Sequence, residues 1–281
     1  MNLRVRSYLY VPGHDGRKIE KALGSEADAV VLDLEDSVVQ NRKDEARSTV
    51  SRVLESYPEK PVFVRVNPVG TETGAADIAA VVEGHITGLR LPKVESVESV
   101  SLIAETLEER RSEAVVQCLI ESALGLELAF EISTSHQRVS GISLGEADLA
   151  ADLGVSDEAG LLYARSRIVS AARAAGLPNP VQSVYTNVGD LDGLRRSTEE
   201  GKHLGFVGRS TIHPSQVSVV NEVFTPSEDE AAEAGALLDR LSREAASGTG
   251  AFVLEDGRFV DRAVVESARL TLDLARWSEK P

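Results

Sequence analysis

The feature that most constrains this chain is a repeated alternation. Apolar runs of about six residues or fewer are separated by longer amphipathic stretches. The runs occupy 8–11, 29–34, 62–66, 88–91, 115–120, 139–144, 181–185 and 205–207, and Val, Leu and Ile dominate them. Such runs suit parallel strands buried on both faces. Between them, 17–23, 44–55, 96–110, 126–132, 157–175 and 190–204 carry helical patterning; Gly176-Leu177-Pro178 supplies a stop signal for the fifth of these. This pattern predicts an α/β chain with a closed (β/α)8 TIM barrel over residues 1–224. An open doubly wound sheet shares the alternation, but it usually carries a GxGxxG turn after its first strand, and none occurs here.

Residues 225–281 read as an extension too short to stand as a separate domain. A helix is expected over 227–247, ended by Ser247-Gly248-Thr249-Gly250. A hairpin turning at Glu255-Asp256-Gly257 and a last helix over 264–277 follow. The expected role is a C-terminal lid or an oligomerisation arm.

Bulk properties exclude several classes. The net charge of −15 leaves nothing to attract nucleic acid or an anionic membrane. Cys118 is the only cysteine, which removes disulfide frameworks and multi-cysteine metal sites. Its apolar neighbours point to a buried strand rather than a reactive thiol. The start of the chain lacks a leader-like segment, and no run of about 18 apolar residues occurs, so a cytoplasmic location is expected.

In a barrel of this kind chemistry gathers at the carboxyl ends of the strands. There the sequence places Tyr10, then Asp33 to Asp36, Arg65 and Asn67, Lys93, Glu121, Glu146 with Asp148, and finally Arg209 and His213. Glu121 and Asp148, on adjoining strand ends, suit Mg2+, a hard ion that prefers oxygen and keeps water positions open. The alternatives are a helix cap for Glu121 and a surface ion pair for Asp148. Arg65, in a Val-Arg-Val setting, faces either a substrate oxygen or a structural partner such as Glu35 or Asp36. Lys93 also admits a metal-independent Schiff base, against which the paired carboxylates argue. His213, within Ile212-His213-Pro214, either shapes a cofactor mouth or caps a helix.

Several stretches together resemble the citrate lyase β-subunit-like family of the HpcH/HpaI aldolase and citrate lyase superfamily, which includes malyl-CoA and citramalyl-CoA lyases. They are Arg6 to Gly13 (RSYLYVPG), Leu32 to Asp36 (LDLED), Val64 to Asn67 (VRVN), Leu91-Pro92-Lys93, and Ile120 to Ala123 (IESA). Further on come Gly145 to Leu149 (GEADL) with Leu153-Gly154, Leu204-Gly205-Phe206, Ile212 to Pro214 (IHP), Asp256-Gly257 and Val260-Asp261. The resemblance implies a barrel binding Mg2+, with Mn2+ as a substitute, through Glu121 and Asp148. It implies that Arg65 meets the acyl carbonyl or enolate, with Asp36, Lys93 and Glu121 at the substrate. Tyr10, Arg17 and Lys21, with Ile212 and His213, match the coenzyme A side of the site. Asp261 matches a catalytic aspartate that relatives deliver on the lid of a neighbouring subunit, which implies a homotrimer or hexamer.

Departures from the pattern are Glu146-Ala147-Asp148, where many relatives have adjoining Glu-Asp, Asn187 in place of a common aspartate, and Arg209 in place of a common lysine. The expected activity is Mg2+-dependent carbon–carbon cleavage of a β-hydroxyacyl-CoA of malyl, citramalyl or citryl type, giving a 2-oxo acid, or the reverse reaction. The rivals are hydrolysis of the thioester on the same metal, and service as a subunit of a citrate lyase complex on an acyl-carrier thioester.

Overall fold

The computed structural model describes residues 4–56, 58–245, 252–253 and 259–278. Seven parallel strands form one sheet: β1 (Ser7–Pro12), β2 (Ala29–Asp33), β3 (Val62–Arg65), β4 (Gly88–Leu91), β5 (Val115–Ile120), β6 (Val139–Leu144) and β7 (Arg209–Thr211). Their spatial order is β6-β5-β4-β3-β2-β1-β7. The sheet is rolled. Four strand steps separate β1 from β5, about 19 Å in a flat sheet, yet Gln117 Nε2 on β5 donates to Tyr8 Oη on β1 at 3.1 Å. Arg90 on β4 likewise reaches Tyr10 Oη on β1 at 2.9 Å.

Helices follow the strands: α1 (Gly16–Leu23), α2 (Lys43–Leu54), α3 (Glu72–Val81), α4 (Val97–Glu109), α5 (Ala123–Glu127), α6 (Ala129–Thr134), α7 (Glu146–Leu153), α8 (Leu162–Ala174), α9 (Leu191–Leu204) and α10 (Ser215–Phe224). Thr71, Ser96, Ser122 and Asp190 cap α3, α4, α5 and α9, each side chain accepting a first-turn amide. The helix α3 lacks a counterpart in the sequence reading, because its Gly- and Ala-rich face carries little periodic signal.

Two of the expected strands change. The run 181–185 contributes only a single parallel bridge, Gln182 to Arg209. Pro178 and Pro180 have no amide to donate before it, and turns at Thr186 and Asn187 end it. The run 205–207 is not a strand either. Gly205 closes α9 in a left-handed conformation (φ 98°), which only glycine adopts cheaply, and pairing begins four residues later at Arg209.

Register explains how the interior is filled. Asp33 pairs with Arg65, Arg65 with Arg90 and Arg90 with Gln117, so these side chains share one level of the inner face. Below them Tyr8, Ala29, Val31 and Phe63 form an apolar plug, with the Tyr8 and Phe63 rings edge to face at 5.4 Å. A charged layer therefore sits on a hydrophobic floor at the carboxyl end.

The chain clusters into two compact units, Met1–Asn221 and Glu222–Pro281. In the second, α11 (Glu228–Ala245) and α12 (Arg262–Ser278) pack on one another, and β8 (Phe252–Val253) pairs antiparallel with β9 (Phe259–Val260). The expected turn at Glu255 to Gly257 lies outside the described residues. Among the described residues no helix is long and apolar enough to cross a membrane.

Candidate active site

The site begins with a buried arginine. Arg65 ends β3 beside Asp33, the last residue of β2, and the two form a bidentate pair: Nε to Oδ1 at 2.7 Å and Nη2 to Oδ2 at 2.8 Å. Its Nη1 also lies 3.0 Å from Glu35 Oε2 and 3.2 Å from Asp36 Oδ2. The guanidinium covers the Tyr10 ring, 5.2 Å from the centroid. Burial alone raises the Asp33 carboxyl, but the Arg65 hydrogen bonds and charge outweigh it and hold Asp33 below its ordinary value. Glu35 bridges onward, since its Oε1 is 3.2 Å from Lys93 Nζ.

Glu121, just past β5, is buried. One carboxyl oxygen accepts the Lys93 amide at 3.1 Å. That amide is aimed by Lys93's left-handed backbone (φ 52°), a strained state for a side-chain-bearing residue. The other oxygen lies against Gly145, where a Cβ would overlap Oε1 and come within 2.6 Å of Cγ, so a glycine is required for the carboxyl to reach this place. Burial, then the charges of Glu35 and Asp148, push Glu121 up to about 8. An enclosed carboxyl repelled by two others, with oxygen donors only, fits a hard divalent cation; two protein carboxylates suit Mg2+, which keeps several waters. Among the described residues no group of three or more His, Cys, Asp or Glu forms a fuller cage.

Ser122, not Glu121, caps α5. Asp148 is exposed on the first turn of α7 and, among the described residues, forms no ion pair, whereas its neighbour Glu146 is committed to Arg165 at 2.6 Å. Lys93 also departs from a Schiff-base lysine: burial acts to lower it, yet Glu35, Asp36 and Asp148 hold its ammonium above the ordinary value. Cys118 is fully buried and pushed up to about 12 by that burial, which is no setting for a nucleophile.

The chain that carries this layer of carboxylates and cations is similar to known proteins. The family model for HpcH/HpaI aldolase/citrate lyase matches residues 6–214. The chain belongs to this family. Among its curated relatives, a (3S)-malyl-CoA thioesterase of Cereibacter sphaeroides is 36% identical, covering 95% of this chain and 93% of the relative. Citrate lyase subunit beta of Escherichia coli is 33% identical over 97% and 94%. The solved CitE protein of Mycobacterium tuberculosis, in complex with magnesium, acetoacetate and coenzyme A, superposes with a TM-score of 0.82 at 30% identity, covering 98% of this chain and all of that one.

Within this HpcH/HpaI family member the other expected site residues fall into four groups. Tyr10 turns inward under Arg65 and accepts from Arg90. Arg17 and Lys21 stand exposed on successive turns of α1, and neither forms an ion pair among the described residues. Ile212 is partly exposed, and the imidazole of the exposed His213 accepts the Ser215 amide at 3.2 Å, so that ring caps α10. Asp261 lies in the second unit, exposed, where its Oδ1 accepts the Val264 amide at 3.1 Å and caps α12.

Sequence reasoning missed the main partner of Arg65. It weighed Glu35 and Asp36, whereas Asp33 makes the bidentate contact. The available signal was register, because equal offsets from the ends of two neighbouring strands place Asp33 and Arg65 side by side.

Proposed function

We propose that this protein is a Mg2+-dependent enzyme acting on a β-hydroxyacyl-CoA of malyl, citramalyl or citryl type, cleaving the carbon–carbon bond next to the thioester or forming it. The observation that carries this reading is the buried Glu121 carboxyl, repelled by Glu35 and Asp148 and placed in the same charged layer as Arg65. Glu121 and Asp148 would hold the ion, which when bound supplies Lewis-acid polarisation of a substrate oxygen. Arg65 holds the thioester oxygen as it gains negative charge; its carboxylate partners fix the guanidinium in advance. Asp36 and Lys93, with Glu35, Lys43 and Asn67, border an open cavity of about 280 Å3, suited to the polar end of the acid. Arg17 and Lys21 offer cations to the phosphates of coenzyme A, with Tyr10, Ile212 and His213 on the same approach.

In cleavage the substrate hydroxyl gives its proton to water, the carbon–carbon bond breaks to leave the 2-oxo acid, and the enolate of the departing acyl-CoA takes a proton at carbon. Asp261 is the proposed donor, carried on a lid from a neighbouring subunit of a homo-oligomer. Asp261→Ala is expected to lower kcat by at least about 100-fold, the contribution of a positioned acid, while Mg2+ affinity stays unchanged. Steady-state kinetics with a metal titration checks this; near-normal turnover would remove Asp261 from the mechanism.

The identity to a malyl-CoA thioesterase favours a second reading, hydrolysis of the same thioester. Product analysis separates the two. With malyl-CoA and Mg2+, cleavage yields glyoxylate and acetyl-CoA, whereas hydrolysis yields free malate and coenzyme A.

A further inference from the structure

Beneath the loop that carries Glu35 and Asp36 lies a closed ring of buried polar groups. Lys43, in the first turn of α2, donates to the Leu34 carbonyl at 2.6 Å, the Glu35 carbonyl at 2.8 Å and Asn67 Oδ1 at 2.9 Å. Asn67 in turn donates to Asp77 Oδ2 through both its amide nitrogen (2.8 Å) and its side chain (2.6 Å). Its Nδ2 also reaches the Leu34 carbonyl at 2.8 Å. Arg47, one turn beyond Lys43 on the same helix, closes the ring on Asp77 Oδ1 at 2.9 Å. Asp77 is fully buried, and Lys43 and Asn67 are 7% exposed.

Two features of this ring set the role of Lys43. Its ammonium has three protons and all three are used, so none remains for a ligand. Its hydrogen-bond partners are neutral; the carboxylates of Asp77, Asp33, Glu35 and Asp36 attract the ammonium, yet burial outweighs them and pulls it below its ordinary value, so the charge is held there at a cost. What the ammonium does achieve is geometric. The Leu34 and Glu35 carbonyls belong to the backbone from which Glu35 and Asp36 reach Arg65 Nη1.

We propose that Lys43 is a positioning residue of the active site, fixing the 34–36 backbone so that Glu35 and Asp36 hold the Arg65 guanidinium in place for the thioester oxygen. This rests on the reading of Arg65 given under the proposed function.

The test compares Lys43→Met and Arg47→Met with wild type below their melting temperatures, using malyl-CoA and Mg2+. It reads kcat, KM, Mg2+ affinity and amide exchange over residues 34–37. Lys43→Met is expected to lose roughly 100-fold in kcat, the cost of a misplacement of about 1 Å. Mg2+ affinity should stay within about threefold, because the Glu121 and Asp148 pair is untouched. KM should rise by less than kcat falls, because Arg65 acts on charge that develops in the transition state while Lys43 and Asp36 also border the substrate cavity. Exchange over 34–37 should quicken while that over 115–120 does not. Arg47→Met, at the outer end of the ring, should show the same pattern at roughly tenfold or less. A lowered melting temperature with kcat kept within about twofold would overturn the proposal, as would loss of Mg2+ affinity in step with kcat. If Lys43→Met does not fold, unchanged kcat and exchange in Arg47→Met overturn it instead. Absence of turnover in the wild type would count against the proposed function, and quickened exchange over 34–37 in Lys43→Met would still support the role of Lys43 in fixing the loop.

Discussion

Replacing Glu121 with alanine is expected to abolish thioester turnover, with kcat lower by at least about 10³-fold, the several kcal/mol that a bound Lewis acid contributes. Mg2+ affinity should fall with it, and Asp148→Ala should give the same two losses. The fold should survive. Among the described residues Glu121 forms no ion pair, and its one hydrogen bond there, from the Lys93 amide, can equally be accepted by glutamine. Glu121→Gln in the presence of a chelator should therefore melt no lower than wild type, because burial and the charges of Glu35 and Asp148 already disfavour the ionised carboxyl that glutamine replaces. Kinetics, isothermal titration with Mg2+ and thermal melts give the three readouts. Wild-type turnover in Glu121→Gln would separate this carboxyl from the chemistry.

Asp33→Asn should act first on stability. Arg65 is 14% exposed and Asp33 2% by side chain, so this pair is desolvated. Removing one partner of a buried pair costs about 3–5 kcal/mol, because the remaining charge is left under-compensated. Asp33 also accepts the Glu35 amide at 3.0 Å and the Ser37 amide at 3.1 Å, so the following loop loses its anchors as well. For a chain of this length the cost corresponds to a fall in melting temperature of roughly 6–20 °C. The pH dependence has a definite sign. Asp33 is held below its ordinary carboxyl value, so its contribution is complete above about pH 4 and is lost as the pH falls through its lower folded value. Wild type should thus lose more stability than Asp33→Asn in that acid range. Denaturation followed from pH 7 to pH 2 checks both parts; equal stability of the two proteins at neutral pH would contradict them.

Much of the architecture was legible because its signals are local. The first six strands follow from apolar runs between amphipathic stretches, and α1, α2, α4, α8 and α9 from helical patterning, with Gly176-Leu177-Pro178 marking the end of α8. The seventh expected strand failed for a local reason too, since prolines ahead of it and turns behind leave one bridge at Gln182. The eighth was displaced because Phe206-Val207 has strand-like composition but follows a glycine that is spent closing α9.

Site residues were harder to read. Glu121 and Lys93 were visible as polar residues at strand ends. Their mutual geometry was not, because it depends on a left-handed backbone at Lys93 and on Gly145 leaving room for a carboxyl. Asp33 looked like one acid of an acidic stretch until strand register set it opposite Arg65. Lys43 reads in sequence as an ordinary surface lysine near a helix start, and only the converging carbonyls of Leu34 and Glu35 reveal why it is buried.

A crystal of the protein grown with Mn2+, with the metal located by anomalous scattering, addresses the central claim most directly. The account predicts one peak at the carboxyl end of the sheet, about 2.1 Å from an oxygen of Glu121 and from one of Asp148, with waters completing an octahedron. A peak elsewhere, or one bound by a single one of these two carboxylates while the other points away, would contradict it.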